Sequence, residues 1–113
     1  MGLDMFLSDK NGLDVAYWRK ANQIHGWFVT NVQNGIDDCK EYEVPRDKIK
    51  ELLQLCKTVL ETKDSSKLPP TRGFFFGTSQ VDSYYWNDVQ ETIYLLEEAL
   101  VSDSQTFYYS SSW

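Results

Sequence analysis

The sequence predicts an α+β fold, with three helices packed on a small antiparallel sheet and the N- and C-terminal strands adjacent. Two observations predict it. Apolar residues alternate with their neighbours at both ends of the chain, as in half-buried strands, and long segments between the ends repeat apolar residues at helical spacing. The 113 residues are 42% hydrophobic and 25% charged, which is sufficient to build one core. We therefore expect a single domain spanning residues 1–113.

The two terminal strands are predicted from local pattern. Leu3, Met5 and Leu7 recur at every second position over residues 1–8. Residues 106–113 are rich in aromatic side chains, which favour extended structure. We expect this last strand to pair with the first.

Three helices are predicted from capping residues and apolar stripes. The first runs over residues 14–33, with Asp14 as its cap. The second runs over residues 45–61 and has the clearest amphipathic repeat. The third runs over residues 81–101 and follows the potential cap residues Thr78 and Ser79.

The connections between these elements carry weaker signals. Residues 42–44 are predicted to be extended, because the residue before a proline avoids helix. Residues 63–72 contain Asp-Ser-Ser and Pro-Pro, which is loop composition, so we expect a flexible loop there. Residues 74–76 are three phenylalanines between glycines, which predict a short strand with at least one ring in the core.

The charge of the chain is unevenly distributed. All eleven Lys and Arg residues lie at or before Arg72, whereas residues 73–113 contain six acidic residues and no basic one. The net charge of −6 therefore belongs to the last third of the sequence. Such a field opposes direct binding to nucleic acid or to an anionic membrane, and it suits a basic partner. A helix face that only confers solubility is the simpler interpretation.

Common catalytic and metal-binding motifs are missing from the sequence. It has one histidine, His25, and two cysteines, Cys39 and Cys56, at a spacing that fits no zinc site, and it has no glycine-rich phosphate loop. We predict no catalytic, metal or cofactor site and interpret both cysteines as packing residues. The sequence leaves open whether the chain is an enzyme. It also leaves open whether His25, Asp37 and Cys39 come together.

The sequence also bears on where the protein resides. Its longest apolar runs fall well short of the roughly 20 residues that a membrane span needs. The first six residues carry Asp4 and lack the basic leader of a secretory signal. We expect a cytoplasmic protein that does not enter a membrane.

Two binding hypotheses follow from the aromatic content, which reaches 15%. Tyr and Trp side chains beside polar neighbours are typical anchors of protein interfaces. The first hypothesis is a protein-binding surface on the third helix. Its candidate residues are Tyr84, Trp86, Asp88 and Glu91.

The alternative hypothesis is a pocket for a small, nucleotide-like molecule, in which aromatic rings stack on the ligand and polar side chains bind it. The candidates are Trp18, Arg19, Asn22 and His25. A third hypothesis is that the basic residues from Arg46 to Lys57 contact phosphates. We instead expect these residues to form ordinary surface ion pairs.

Four segments carry a resemblance to a known family. Residues 1–7, 17–28, 73–77 and 107–113 are similar to a family of small hypothetical proteins of bacteriophages and prophages. The resemblance implies a cytoplasmic protein inside a bacterial host, and it supplies no site residue. Together with the charge and the aromatic content, it leads us to expect a non-catalytic protein that binds, and can thereby inhibit, a host bacterial protein. That partner could be basic or nucleic-acid-binding.

Overall fold

The computed structural model describes residues 2–70 and 81–113, and it confirms the α+β fold. Three helices and a four-stranded antiparallel sheet are formed within these residues. A short 3₁₀ turn at Ser65–Lys67 follows the second helix. The elements in chain order are β1 (Asp4–Ser8), β2 (Asp14–Arg19), α1 (Asn22–Asn31), β3 (Tyr42–Pro45), α2 (Arg46–Thr62), α3 (Ser83–Ala99) and β4 (Thr106–Ser112).

The sheet has the strand order β2-β1-β4-β3, so the two terminal strands lie side by side at its centre. In the β1–β4 pair, Met5 lies opposite Ser111 and Leu7 lies opposite Tyr109. The predicted pairing of the first and last strands is therefore confirmed. The pairing of β1 with β4 therefore brings residues from the two ends of the described chain together in the core.

The predicted first helix is wrong in its first third. Residues 14–19 form strand β2 instead of helix, and α1 begins only at Asn22. Ala16 and Trp18 are buried while Tyr17 between them and Arg19 after them are exposed, which is the two-residue period of a strand. Pairing with β1 decides the outcome, because these residues bury their side chains on the same face as those of β1.

A tight turn joins β1 to β2. The Asp9 carboxylate accepts hydrogen bonds from the backbone N–H groups of Asn11 (2.9 Å) and Leu13 (3.0 Å). Gly12 has a φ of +80°, a left-handed conformation that glycine adopts without steric cost. Lys20 then takes a φ of +57° and separates β2 from α1.

The second and third helices lie close to their predicted positions. Pro45 ends β3 and directly precedes α2, in agreement with the predicted extended segment and helix start. The cap of α3 is Asp82, whose carboxylate accepts from the N–H groups of Tyr84 and Tyr85. The predicted caps Thr78 and Ser79 and the predicted strand at 74–76 lie outside the described residues.

The core lies between the helices and one face of the sheet. β1 and β4 contribute side chains that are fully buried on this face, among them Leu7, Phe107 and Tyr109. The ring of Tyr109 stacks on that of Phe28 from α1, with centroids 3.8 Å apart and an angle of 8° between the planes. Trp18 is also buried, and its indole N–H donates to the α3 side chain of Thr92 (2.8 Å).

The segment after α2 is attached to this core as far as it is described. Leu68 is 2% exposed, and its carbonyl accepts a hydrogen bond from the Tyr85 hydroxyl (2.6 Å). The flexibility predicted for 63–72 stays a prediction, and its last two residues lie outside the described part. None of the described helices has the length and apolar character required to cross a membrane.

Candidate functional site: the outer face of α3

α3 has two sides of different character. Its buried side consists of Tyr85, Val89, Thr92, Leu96 and Ala99, which recur at helical spacing and face the core. The opposite side contributes nothing to that core. Five of its residues are exposed and share one face, which we call the outer face of α3: Tyr84, Asn87, Glu91, Tyr94 and Glu98.

Two tyrosines dominate the outer face. Tyr84 is 71% exposed and Tyr94 is 63% exposed, so both rings stand largely in solvent. They are ten residues apart on the helix, which places them about 15 Å apart along its axis. A tyrosine combines a large apolar ring with a polar tip, so such residues suit a surface that another protein covers.

The carboxylates of this face are not neutralised. Among the ion pairs formed by the described residues, none involves Glu91 or Glu98. Glu97 lies to one side of the face and pairs with Lys57 of α2 at 3.5 Å. The outer face of α3 therefore carries a negative field beside two exposed aromatic rings.

Not all of the predicted protein-binding residues belong to this face. Tyr84 and Glu91 lie on it, and Asp88 lies half-buried at its margin. Trp86 points toward α2 instead: its ring packs edge-on against Tyr85 at 4.8 Å and lies 4.8 Å from the Lys63 ammonium nitrogen. Trp86 is therefore part of the α2–α3 contact and not of the outer face of α3.

Sequence reasoning missed Tyr94. The signal was present, because Tyr94 lies ten residues after Tyr84 and three after Glu91, which is helical spacing on one face. An exposed aromatic residue is hard to predict from sequence, since aromatic residues in helices more often face the core.

Asp88 has a strongly perturbed acidity. Partial burial, together with the nearby charges of Glu91 and Asp82, raises the pKa of this carboxyl to about 7. A hydrogen bond from the Gln23 side chain acts in the opposite direction and favours the carboxylate. The negative charge at the margin of the outer face thus changes around neutral pH.

The four predicted ligand-pocket residues are not brought together. Trp18 and Arg19 are neighbours on a strand, so their side chains lie on opposite faces of the sheet. Trp18 is in the core, whereas Arg19 is exposed and pairs with Asp4 at 3.1 Å. Asn22 and His25 are buried in the first two turns of α1.

His25 belongs to a polar relay that runs from the core to the surface, and sequence reasoning could not establish it. Its Nδ1 lies 2.6 Å from the Tyr109 hydroxyl, and its Nε2 lies 3.0 Å from Asp37 Oδ1. The same carboxylate oxygen accepts from the Trp113 indole N–H at 3.1 Å. Because Asp37 accepts from Nε2–H, the neutral ring is left to accept from the Tyr109 hydroxyl at Nδ1.

The relay contains the side chains of an acid–base site, but a substrate has no access to the His25 ring. His25 is completely buried, so no substrate reaches its ring. Burial lowers the pKa of His25, although the charge and hydrogen bond of Asp37 oppose this shift. The pKa of Tyr109 is raised well above its usual value, mainly by burial, so the phenol keeps its proton. The relay therefore ties α1, β4 and the segment after α1 together.

The two cysteines differ in environment. Cys56 is fully buried, as predicted, and burial raises the pKa of its thiol to about 12. Cys39 is exposed, so the prediction that it is a packing residue is wrong. Its φ of +59° places it in a turn at the surface. Within the described residues, no cluster of three His, Cys, Asp or Glu side chains could hold a metal ion.

The basic residues at the start of α2 are engaged within the protein. The Arg46 guanidinium donates to the carbonyls of Leu100 (2.6 Å), Ser102 (2.7 Å) and Ser104 (2.9 Å), which follow the end of α3. Lys48 pairs with Glu51 at 3.3 Å. The Lys48–Glu51 pair is a surface ion pair of the kind that the sequence predicts for these residues.

Comparison with known proteins gave no match. No protein-family model matches the chain, and no curated protein or solved structure is significantly similar to it. The resemblance to bacteriophage proteins therefore stays a prediction.

Proposed function

We propose that this chain is a non-catalytic binding protein that engages a basic bacterial host protein through the outer face of α3. The observation that carries the proposal is the pair of largely exposed tyrosines, Tyr84 and Tyr94, beside the carboxylates of Glu91 and Glu98, which form no ion pair with any residue that the structure describes. Large exposed aromatic residues without a role in the core are typical of interface anchors.

The spacing of the outer face supports a particular mode of docking. Its five residues follow one another at intervals of three, four, three and four positions. This is the pattern by which a helix presents anchors to a groove or to another helix. A partner with an apolar groove rimmed by Lys or Arg side chains would complement both the rings and the charges.

The proposal also states that the protein acts inside a bacterial host. The resemblance to phage proteins favours a host protein as partner, a cytoplasmic location, and inhibition of the partner as the outcome of binding. The acidic field favours a host protein with a basic surface, such as one that binds nucleic acid.

The test begins with capture of the partner from bacterial lysate by the tagged full chain. The dissociation constant of the purified partner is then measured for the wild type and for a Tyr84→Ala/Tyr94→Ala variant. We expect the double variant to bind about tenfold or more weakly, since buried tyrosine anchors typically each contribute about 1 kcal/mol or more. Both side chains are exposed, so the fold should be unaffected.

Tyr17→Ala is the matched control, because Tyr17 is also an exposed tyrosine but lies on the sheet face that points away from the core. This control should bind as the wild type does. The proposal is contradicted if the double variant binds with unchanged affinity or if Tyr17→Ala loses as much affinity as the double variant. It is also contradicted if the wild type retains no stoichiometric protein from the lysate.

A further inference from the structure

A groove that is separate from the His25 relay is lined by α1 and by the segment after α2. It has a volume of about 250 Å³. One wall is a stripe of α1 that includes Gln23, Trp27, Thr30 and Asn31, and the other wall consists of residues 67–70. The α1 stripe is distinct from the buried residues Ile24 and Phe28, which face the core.

Both walls of the groove are held in place by the same residue of α3. The Tyr85 hydroxyl donates to the Leu68 carbonyl (2.6 Å), and the Tyr85 carbonyl accepts from the Gln23 side-chain amide (3.1 Å). Leu68 and Gln23 are each 2% exposed. The groove is therefore preformed, so a ligand would not have to order its walls on binding.

The lining has a defined chemical character. The half-buried Trp27 ring, supported edge-on by Phe28 at 5.3 Å, lies on one side, and Pro69 with Pro70 lies on the other. An indole and proline rings offer flat apolar surfaces that suit a planar ring. Asn31 donates its amide to the Trp27 carbonyl (2.9 Å), so its side-chain oxygen is directed elsewhere as an acceptor.

The charge and the volume of the groove restrict the class of ligand further. Lys67 is exposed at the groove and forms no ion pair among the described residues, so it favours an anionic substituent. Pockets for drug-sized ligands usually measure roughly 300–1,000 Å³, so the groove is too small for a dinucleotide. It is large enough for one or two fused rings with the anionic group outside.

We infer that this groove binds a small planar heteroaromatic compound carrying an anionic group, such as a nucleoside monophosphate, with its ring against Trp27 and its anion near Lys67. The site is separate from the outer face of α3 and does not depend on the proposed function. It differs from the pocket predicted around Arg19, Asn22 and His25, because its α1 residues lie on another side of the helix.

The experiment is an NMR titration of the ¹⁵N-labelled full chain with adenosine monophosphate, adenosine and ribose 5-phosphate. Adenosine monophosphate should shift the Trp27 indole signal and the amides of Thr30 and Asn31 along a saturating curve. Adenosine should shift the same signals with weaker affinity, and ribose 5-phosphate should not shift the Trp27 indole, because it lacks the ring.

Two variants test the assigned roles. Trp27→Leu should weaken binding of adenosine monophosphate by about tenfold, since stacking on an aromatic residue is worth about that much per base. Lys67→Gln, at an exposed position, should weaken the binding of adenosine monophosphate a few-fold and leave the binding of adenosine unchanged. Trp86→Leu is the control for loss of a half-buried tryptophan elsewhere.

The inference fails if adenosine monophosphate at millimolar concentration leaves the Trp27 indole signal unmoved in the folded wild type. It also fails if the shifts concentrate on residues outside the groove. A third contradicting result is that Lys67→Gln weakens the binding of adenosine monophosphate and of adenosine equally. Should Trp27→Leu not fold, the Lys67→Gln comparison alone decides. None of these outcomes bears on partner binding by α3.

Discussion

At the scale of single residues, two ionisable side chains make opposite contributions to the pH dependence of stability. Burial lowers the pKa of His25 from 6.5, so the folded state favours the neutral ring. The stabilisation that this provides is complete above about pH 6.5 and is lost as the pH falls below that value. Burial raises the pKa of Asp88 to about 7, so the folded state favours the protonated carboxyl. Its ionisation costs stability increasingly between about pH 4 and pH 7.

Replacement of Asp88 by asparagine isolates the second effect. We expect Asp88→Asn to be more stable than the wild type at pH 8 by about 1 kcal/mol, because the amide needs no ionisation in a half-buried site and partial solvation reduces the full effect. At pH 4 the two proteins should be equally stable. Urea denaturation at both pH values measures the difference.

His25 does not disturb this comparison, since both proteins contain it. The amide oxygen that Asp88→Asn introduces can still accept the hydrogen bond from Gln23, so the substitution preserves the local contact. Equal stability of the two proteins at pH 8, or greater stability of the wild type, would show that the Asp88 carboxylate is not destabilised in the fold.

At the scale of elements, Arg46 connects the start of α2 to the end of α3. Its guanidinium donates to three carbonyls that follow the α3 helix, and its backbone N–H donates to the Gln105 carbonyl just before β4 (2.8 Å). Carbonyls at a helix end have no partner within the helix, and a cation there also meets the negative end of the helix dipole.

Substitution of Arg46 should therefore destabilise the whole domain. We expect Arg46→Met, which keeps the aliphatic stem, to lower the free energy of unfolding by about 2–4 kcal/mol, because three charge-assisted hydrogen bonds are lost. Lys48→Met is the matched control on the same helix, and its surface pair with Glu51 should be worth less than about 1 kcal/mol. A cost for Arg46→Met no greater than for the control, in denaturant unfolding, would contradict this role.

The elements also show how far the sequence predicted the structure. The apolar stripes of α2 and α3 predicted both helices, because their burial follows one helical period. The helical spacing of Trp18, Ile24 and Phe28 predicts a helix that includes residues 14–19, whereas the strand that these residues form depends on pairing with β1. That pairing is a long-range contact, and a local pattern does not contain it.

The candidate sites also differ in whether a local sequence pattern predicts them or long-range packing creates them. Tyr84 and Glu91 were predicted from their position outside the apolar stripe of α3. The groove beside Trp27 was not, because it exists only where residues 67–70 pack against Tyr85. The contact of His25 with Asp37 likewise requires the segment after α1 to fold back on that helix.

At the scale of the whole molecule, charge and topology place the proposed binding surface. α3 comes from the part of the sequence without basic residues, and its one described ion pair, between Glu97 and Lys57, lies beside the outer face and not on it. The same helix buries its other side against α2 and β2, so the outer face is held on a rigid element. A rigid acidic face with exposed rings attracts a basic partner at long range and anchors it at contact.

Docking on the outer face of α3 is tested most directly by site-specific photo-crosslinking to the captured partner. Benzoylphenylalanine, which resembles tyrosine in shape, is placed at Tyr94 in one protein and at Tyr17 in another, and both are irradiated with the partner. If the partner docks on the outer face of α3, a crosslinked complex forms from position 94 and none forms from position 17. A crosslink from position 17 with none from position 94 would show that the partner docks on the sheet face, and the outer face of α3 would not be the binding surface.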